Sequence, residues 1–206
     1  MSSAKLASCL STLITISGTS ACAVETVNWR EFVSKDGSFR VLLPNKPTHF
    51  EQSEALEDSG DEERSACVAG LKHHRAVASF LATSVRKPQA YLRKYTAQQR
   101  IDRVFEATMS DSRQNFPNAK IKVERDSRTV DQQRAAYWMI VVTDKETWLE
   151  LQTVAFYVDD VFYAAEVIHF SSDSSRATTQ GDIDKFFGSF SLRTKNVLAH
   201  ADGSEE

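Results

Sequence analysis

The segment Ala135 to Val142 reads AAYWMIVV, eight residues without a charge and without a polar–apolar alternation. A strand with one wet face alternates, so a run like this belongs in mid-sheet with a packed layer on each side. Neighbouring segments supply the rest of such a sheet. Trp29 to Val33 and Ser38 to Leu43 read as short strands around Lys35-Asp36-Gly37, where Asp-Gly signals a tight turn. Phe39, Val41 and Leu43 share one face of the second strand. Arg64 to Ala69 and His74 to Val85 read as a strand pair around Gly70. Ile121 to Thr129 alternates, and Trp148 to Val158 and Val161 to Phe170 flank a two-residue turn at Asp159-Asp160.

Two segments carry helical periodicity. From Gln89 to about Asn115, after Lys87-Pro88, the residues Ala90, Ala97, Ile101, Val104, Phe105 and Met109 fall on one face. Phe116-Pro117-Asn118 ends that pattern. Arg176 to Phe187 is a shorter helix, and Phe190-Leu192 closes the domain. Two helices interrupting mostly antiparallel strands give an α+β layered domain over 24–192, with no repeat or linker dividing it. The polar stretch 193–206 reads as a disordered tail. Glu51 to Glu63, with seven acids and no base, reads as a solvated loop, since it lacks the spacing of a calcium loop.

The first 23 residues read as an address. Lys5 is the only charge before Glu25, Leu6 to Ile16 is apolar, and Ala21-Cys22-Ala23 offers a small-residue exit. That order is a secretory signal peptide cleaved before Val24. Lipidation at Cys22 is the alternative, although the aliphatic residue three positions earlier is missing. Export therefore implies a periplasmic or secreted protein, with anchoring to the envelope through lipid as the other form. No stretch of about 18 apolar residues suggests a spanning helix. Processing leaves Cys67 as the lone thiol, flanked by Ala66, Val68 and Ala69, which reads as a buried small hydrophobe. The composition, 41% apolar and 26% charged with net charge −3, is that of a globular chain and gives no electrostatic case for nucleic acid.

Candidate chemistry is sparse. The sequence contains no G-x-S-x-G, Walker, G-x-G-x-x-G or H-E-x-x-H motif. His73-His74 would point to opposite faces of a strand and so poorly share a metal. Glu166 sits within an apolar run and reads as an exposed or paired acid. A turn at Asp159-Asp160 sets Glu150 opposite His169 and Phe156 opposite Tyr163, which reads as a structural cross-strand pair. The stretch containing Arg86, Lys87, Arg93, Lys94, Arg100 and Arg103 holds six bases against one acid, Asp102. Arg93, Lys94, Arg100 and Arg103 are the candidate docking face for an acidic protein or anionic surface. The stretch reads as lacking the aromatic interleaving of a single-strand nucleic-acid platform.

The residues Gly37-Ser38-Phe39-Arg40-Val41 and Leu43-Pro44-Asn45-Lys46-Pro47, with Trp29 before them, resemble a known pattern. So does the ending, Val161-Phe162-Tyr163 followed by Phe186-Phe187-Gly188-Ser189-Phe190. Together they resemble the PsbP-like class of secreted bacterial proteins, which are similar to the extrinsic PsbP subunit of photosystem II. A nuclear-import factor that binds the GTPase Ran is similar in fold. The resemblance runs from about Trp29 to Leu192 and implies an α-β-α sandwich around an antiparallel sheet. It implies no catalytic residues, no cofactor and no metal. The expectation is an exported, non-catalytic binding or assembly module with a protein partner. The alternative is a small-molecule binder or unrecognised hydrolase using a pocket between sheet and helix.

Overall fold

A computed structural model describes residues 27–45, 48–56, 60–73, 76–145, 147–172 and 177–193, with the backbone alone for 48–56, 60–63 and 73. Ten strands and three helices follow in the order β1 (Trp29–Val33), β2 (Phe39–Pro44), β3 (Thr48–Leu56), β4 (Gly60–His73), β5 (Ala76–Arg86), α1 (Gln89–Lys94), α2 (Ala97–Asn115), β6 (Lys120–Val130), β7 (Gln133–Thr143), β8 (Trp148–Val158), β9 (Val161–Ser171), α3 (Gln180–Ser189) and β10 (Ser191–Leu192). Seven strands form one antiparallel sheet in the order β3-β4-β5-β9-β8-β7-β6. A second sheet, β1-β2-β10, lies beside it.

Because side chains alternate along a strand, the large sheet has two apolar faces, and each is covered. One face presents Cys67, Ala78, Phe80, Val154, Phe156, Tyr163 and Val167 to Phe39, Val41 and Leu43 of β2 and to Ile183, Phe186 and Phe187 of α3. Small residues there leave room for ring packing. Phe186 meets Phe80 edge-on at 5.3 Å, and Phe190 stacks on Phe39 at 5.2 Å. The opposite face presents Trp138, Ile140, Leu149, Leu151, Phe162 and Ala164 to Ile101, Phe105 and Met109 of α2. The fold is thus α+β, with helices on both sides of a mostly antiparallel sheet. The run AAYWMIVV occupies β7, one strand from the sheet edge, and feeds both cores.

Sequence register and structural register agree at the β8–β9 hairpin. Glu150 pairs with His169 and Phe156 with Tyr163, whose rings stack at 5.5 Å. Asp159 takes up the left-handed conformation (φ 53°) that the two-residue turn demands. A second tight turn, at Asp131-Gln132, joins β6 to β7, with both residues left-handed. Three expectations need correction. Gly70 lies inside β4, opposite Ser79, and the strands meet further on, where His73 pairs with Ala76. The acidic segment is not a loop: Glu51 to Glu54 lie in β3 and Asp61 to Glu63 in β4, and the two strands pair from Thr48↔Val68 to Leu56↔Gly60. The backbone ladder of β3 and β4 runs through these acids, with 57–59 outside the described residues.

The third correction concerns the long helix, which is broken at Tyr95-Thr96. Thr96 accepts a hydrogen bond from the Gln99 backbone N–H, and the Gln99 side chain accepts one from the Thr96 N–H. This reciprocal capping box starts α2 afresh and leaves α1 as a separate six-residue helix with no buried residue. The same device, Thr179 with Asp182, starts α3. Burial opposes ionisation of Asp182, but hydrogen bonds from Thr179 and Thr178, and nearby Lys185, outweigh it and lower its pKa.

Candidate functional site

The cations flagged in the sequence surround α1 and the first turns of α2. The Lys87 backbone N–H donates to the Asp160 carbonyl at 2.9 Å, and Arg86 pairs with the Asp160 carboxylate, fixing this end of β5 to the β8–β9 turn. Pro88 then opens α1. Tyr91 and Tyr95, one helical turn apart, bring their rings to 5.3 Å. Lys87 Nζ lies 5.4 Å from the Tyr91 ring centre. Lys94 Nζ lies 5.4 Å and the Arg103 guanidinium 4.5 Å from the Tyr95 ring centre. The basic stretch is therefore interleaved with aromatic rings, contrary to the reading from the sequence. The signal was the i, i+4 spacing of Tyr91 and Tyr95, which sets the ring of Tyr95, at the C-cap of α1, one turn on from that of Tyr91.

Arg93, Lys94 and Arg103 are exposed and make no ion pair among the described residues. The acid that accompanies them, Asp102, is engaged elsewhere: Arg125 Nη2 and Gln98 Nε2 donate to it at 2.7 and 3.1 Å. Glu106 is the next exposed acid along α2. Arg100 departs from the expected docking face. It is 9% exposed, and its guanidinium lies 4.4 Å over the Tyr157 ring. At 3.6 residues per turn, Arg100 sits almost in line with Val104, at the border of the apolar stripe, whereas Arg103 points to solvent. The exposed face is therefore Arg93, Lys94 and Arg103, with Lys94 and Arg103 over the Tyr95 ring.

Next to this face, between α2 and the ends of β6, β7 and β8, lies a cleft of about 510 Å³. Ala97, Ile101, Ala136, Ala155, Phe156 and Tyr157 form its apolar wall; Gln98, Arg125, Asp126, Ser127 and Arg134 contribute polar groups. Arg125 stacks on Phe105 at 4.3 Å as well as pairing with Asp102.

The second concentration of polar chemistry lies inside the molecule. On the α3 face of the sheet, Tyr137 Oη donates to Gln152 Oε1 at 3.1 Å, and Gln152 Nε2 donates to Glu150 Oε1 at 2.9 Å. His169 Nδ1 lies 3.7 Å from the same Glu150 oxygen. His169 and Glu150 are 1% and 2% exposed. This file crosses three strands and is sealed from solvent. Ser171, two residues beyond His169 on the same face, makes no hydrogen bond to it, so no nucleophile–base pair is assembled there.

Glu166, on the α2 face, is partly buried and accepts a hydrogen bond from Thr153 Oγ1 at 3.5 Å. Burial pushes its pKa up to about 7, against the opposing pull of Thr153 and Arg64. The Cys67 thiol is buried, and that burial raises its pKa to about 12, leaving it inert at neutral pH. His73 ends β4, while His74 lies outside the described residues, as do Ala21, Cys22, Ala23 and Val24 of the processing region and residues 194–206. Among the described residues no group of three His, Cys, Asp or Glu is placed to hold a metal ion. Nor is any helix there long and apolar enough to cross a membrane.

No family model matches the chain, and neither does any curated protein. Similar solved structures include PsbP of the cyanobacterium Synechocystis, the class that the sequence resembles (TM-score 0.43, 13% identity, 85% of this chain and 98% of that one). They also include a Bacteroides thetaiotaomicron protein (TM-score 0.43, 11% identity, 80% of this chain), of which this chain spans about half, 48%. LpqN of Mycobacterium tuberculosis, involved in cell envelope biogenesis, is a third (TM-score 0.36, 7% identity, 82% and 93%). Likeness at this level carries nothing about activity.

Proposed function

We propose that the protein is an exported, non-catalytic binding module that docks an acidic protein surface through α1 and the first turns of α2. The observation that carries this reading is the set of exposed cations Arg93, Lys94 and Arg103, two of them over the Tyr95 ring, while the local acid Asp102 is held by Arg125. A fixed cation over a ring exposes both charge and a flat apolar surface, the combination that protein interfaces favour. The export half of the reading rests on the N-terminal pattern, and an intact mass beginning at Val24 is its test.

The docking half is tested by crosslinking in the native exported fraction, comparing the natural protein with the variant Arg93→Glu, Lys94→Glu, Arg103→Glu. The expected result is one reproducible protein partner, with crosslinks at Lys94 in the natural protein, that the triple variant loses while its melting temperature is unchanged. Capture that survives the charge reversal, or no partner at good crosslinking yield, overturns it.

A further inference from the structure

Arg100 is a charge without a counter-charge in a place where charges need one. It is 9% exposed, and its Nε and Nη1 are buried with no hydrogen-bond acceptor among the described residues. A guanidinium stays ionised, so it cannot escape the penalty by losing its proton. Stacking on Tyr157 offsets part of that penalty, but a ring face accepts charge, not the in-plane N–H bonds. Two arginines nearby are paired, Arg86 with Asp160 and Arg125 with Asp102, and Arg93 and Arg103, which are not, are exposed to water. Nothing comparable serves Arg100.

Its position suggests where the acceptor comes from. Ala97 and Ile101, its neighbours in α2, and Tyr157, beneath its guanidinium, all line the 510 Å³ cleft. Arg100 does not itself line the cleft, but its guanidinium lies over Tyr157, which does. Arg134 and Arg125 stand at the cleft too, with one carboxylate, Asp126, whose Oδ1 already accepts from the Ser127 N–H at 2.7 Å. The volume falls within the range of small-ligand sites, and the lining sets an apolar wall against a polar side that carries two arginines.

We propose that this cleft binds a small organic anion, a carboxylate or phosphate on a flat apolar body, and that Arg100 turns its N–H edge past Tyr157 to take the anionic group. This is independent of the protein-docking reading, since it concerns the groove behind α2 and not the exposed cations.

The test is calorimetric titration of the full-length processed protein with 1-naphthyl phosphate, 1-naphthoate and neutral 1-naphthol. The expected result is binding of at least one of the two anions, at least tenfold tighter than naphthol, with the preferred headgroup telling phosphate from carboxylate. Arg100→Met, which keeps the stem and removes the charge, is expected to weaken the anion at least tenfold. It is also expected to raise the ligand-free melting temperature by about 2–4 °C, because an unpaired buried charge is gone. Ala97→Phe, at an exposed wall position, is expected to block the cleft with the melting temperature unchanged. No heat with either anion, equal binding of naphthol, or unaltered binding by Arg100→Met overturns the proposal. So does a ligand-free Arg100→Met protein that melts lower than the natural one, which makes Arg100 a structural residue.

Discussion

The molecule holds two groupings of charged and aromatic side chains, and they differ in how the charge is balanced. In the interior file hydrogen bonds join Tyr137, Gln152 and Glu150, His169 lies 3.7 Å from Glu150, and all four are buried across three adjacent strands. Around α1 the residue types are similar, but the balance is not closed. Lys94 and Arg103 have the Tyr95 ring for company, Arg93 stands exposed beside them, none of the three has a carboxylate among the described residues, and α1 buries nothing. Leaving a buried polar group bare costs about 1–3 kcal/mol or more, so a buried group is placed where a partner meets it, from the fold or, as proposed for Arg100, from a ligand. An exposed one is under no such constraint. The interior file is therefore read as architecture and the α1 face as a surface available to a partner.

Substitutions separate the two. The largest effect belongs to the ring that holds the α3 layer: Phe186→Ala is expected to destabilise by about 3–5 kcal/mol in denaturant unfolding. Removing one member of the sealed file comes close. Glu150→Ala strands His169 and Gln152, and a loss of about 3 kcal/mol is expected by the same measurement. If Glu150→Ala left stability intact but abolished partner capture, the assignment of roles would be reversed.

Glu166 is expected to give a smaller, pH-dependent effect. Its pKa is raised from 4.5 to about 7, so the folded chain keeps a proton that the unfolded chain has already released. That contribution to stability is full below about pH 4.5 and is lost as pH rises towards 7. Glu166→Gln is expected to leave stability unchanged at pH 4 and to raise it by about 2 kcal/mol at pH 8. An equal effect at both values would show that Glu166 is as solvated as a surface acid. At the other extreme, single Arg93→Ala or Lys94→Ala changes are expected to stay within about 0.5 kcal/mol, since neither makes an ion pair among the described residues.

Much of this was written in the sequence. The β8–β9 register followed from a two-residue turn, because a turn length fixes every opposite pair along a hairpin. The doubly covered sheet followed from the non-alternating run in β7. The break between α1 and α2 did not: apolar periodicity continues across Tyr95-Thr96, and only the Thr96–Gln99 capping box betrays it. Arg100 was misplaced because residue type says surface, whereas its angular position beside Val104 says border of the core. The α1 face was half legible: its cations stood out as a charge run, but the two tyrosines joined them only when i, i+4 spacing was applied to both.

The central claim is that the unbalanced surface, not the balanced interior, is where this protein meets its partner. The most direct measurement is the amount of partner captured per folded molecule by the Arg93→Glu, Lys94→Glu, Arg103→Glu protein, set beside the natural protein at the same salt. Capture lost with an unchanged melting temperature is the predicted result. Undiminished capture by the fully folded triple variant would contradict it.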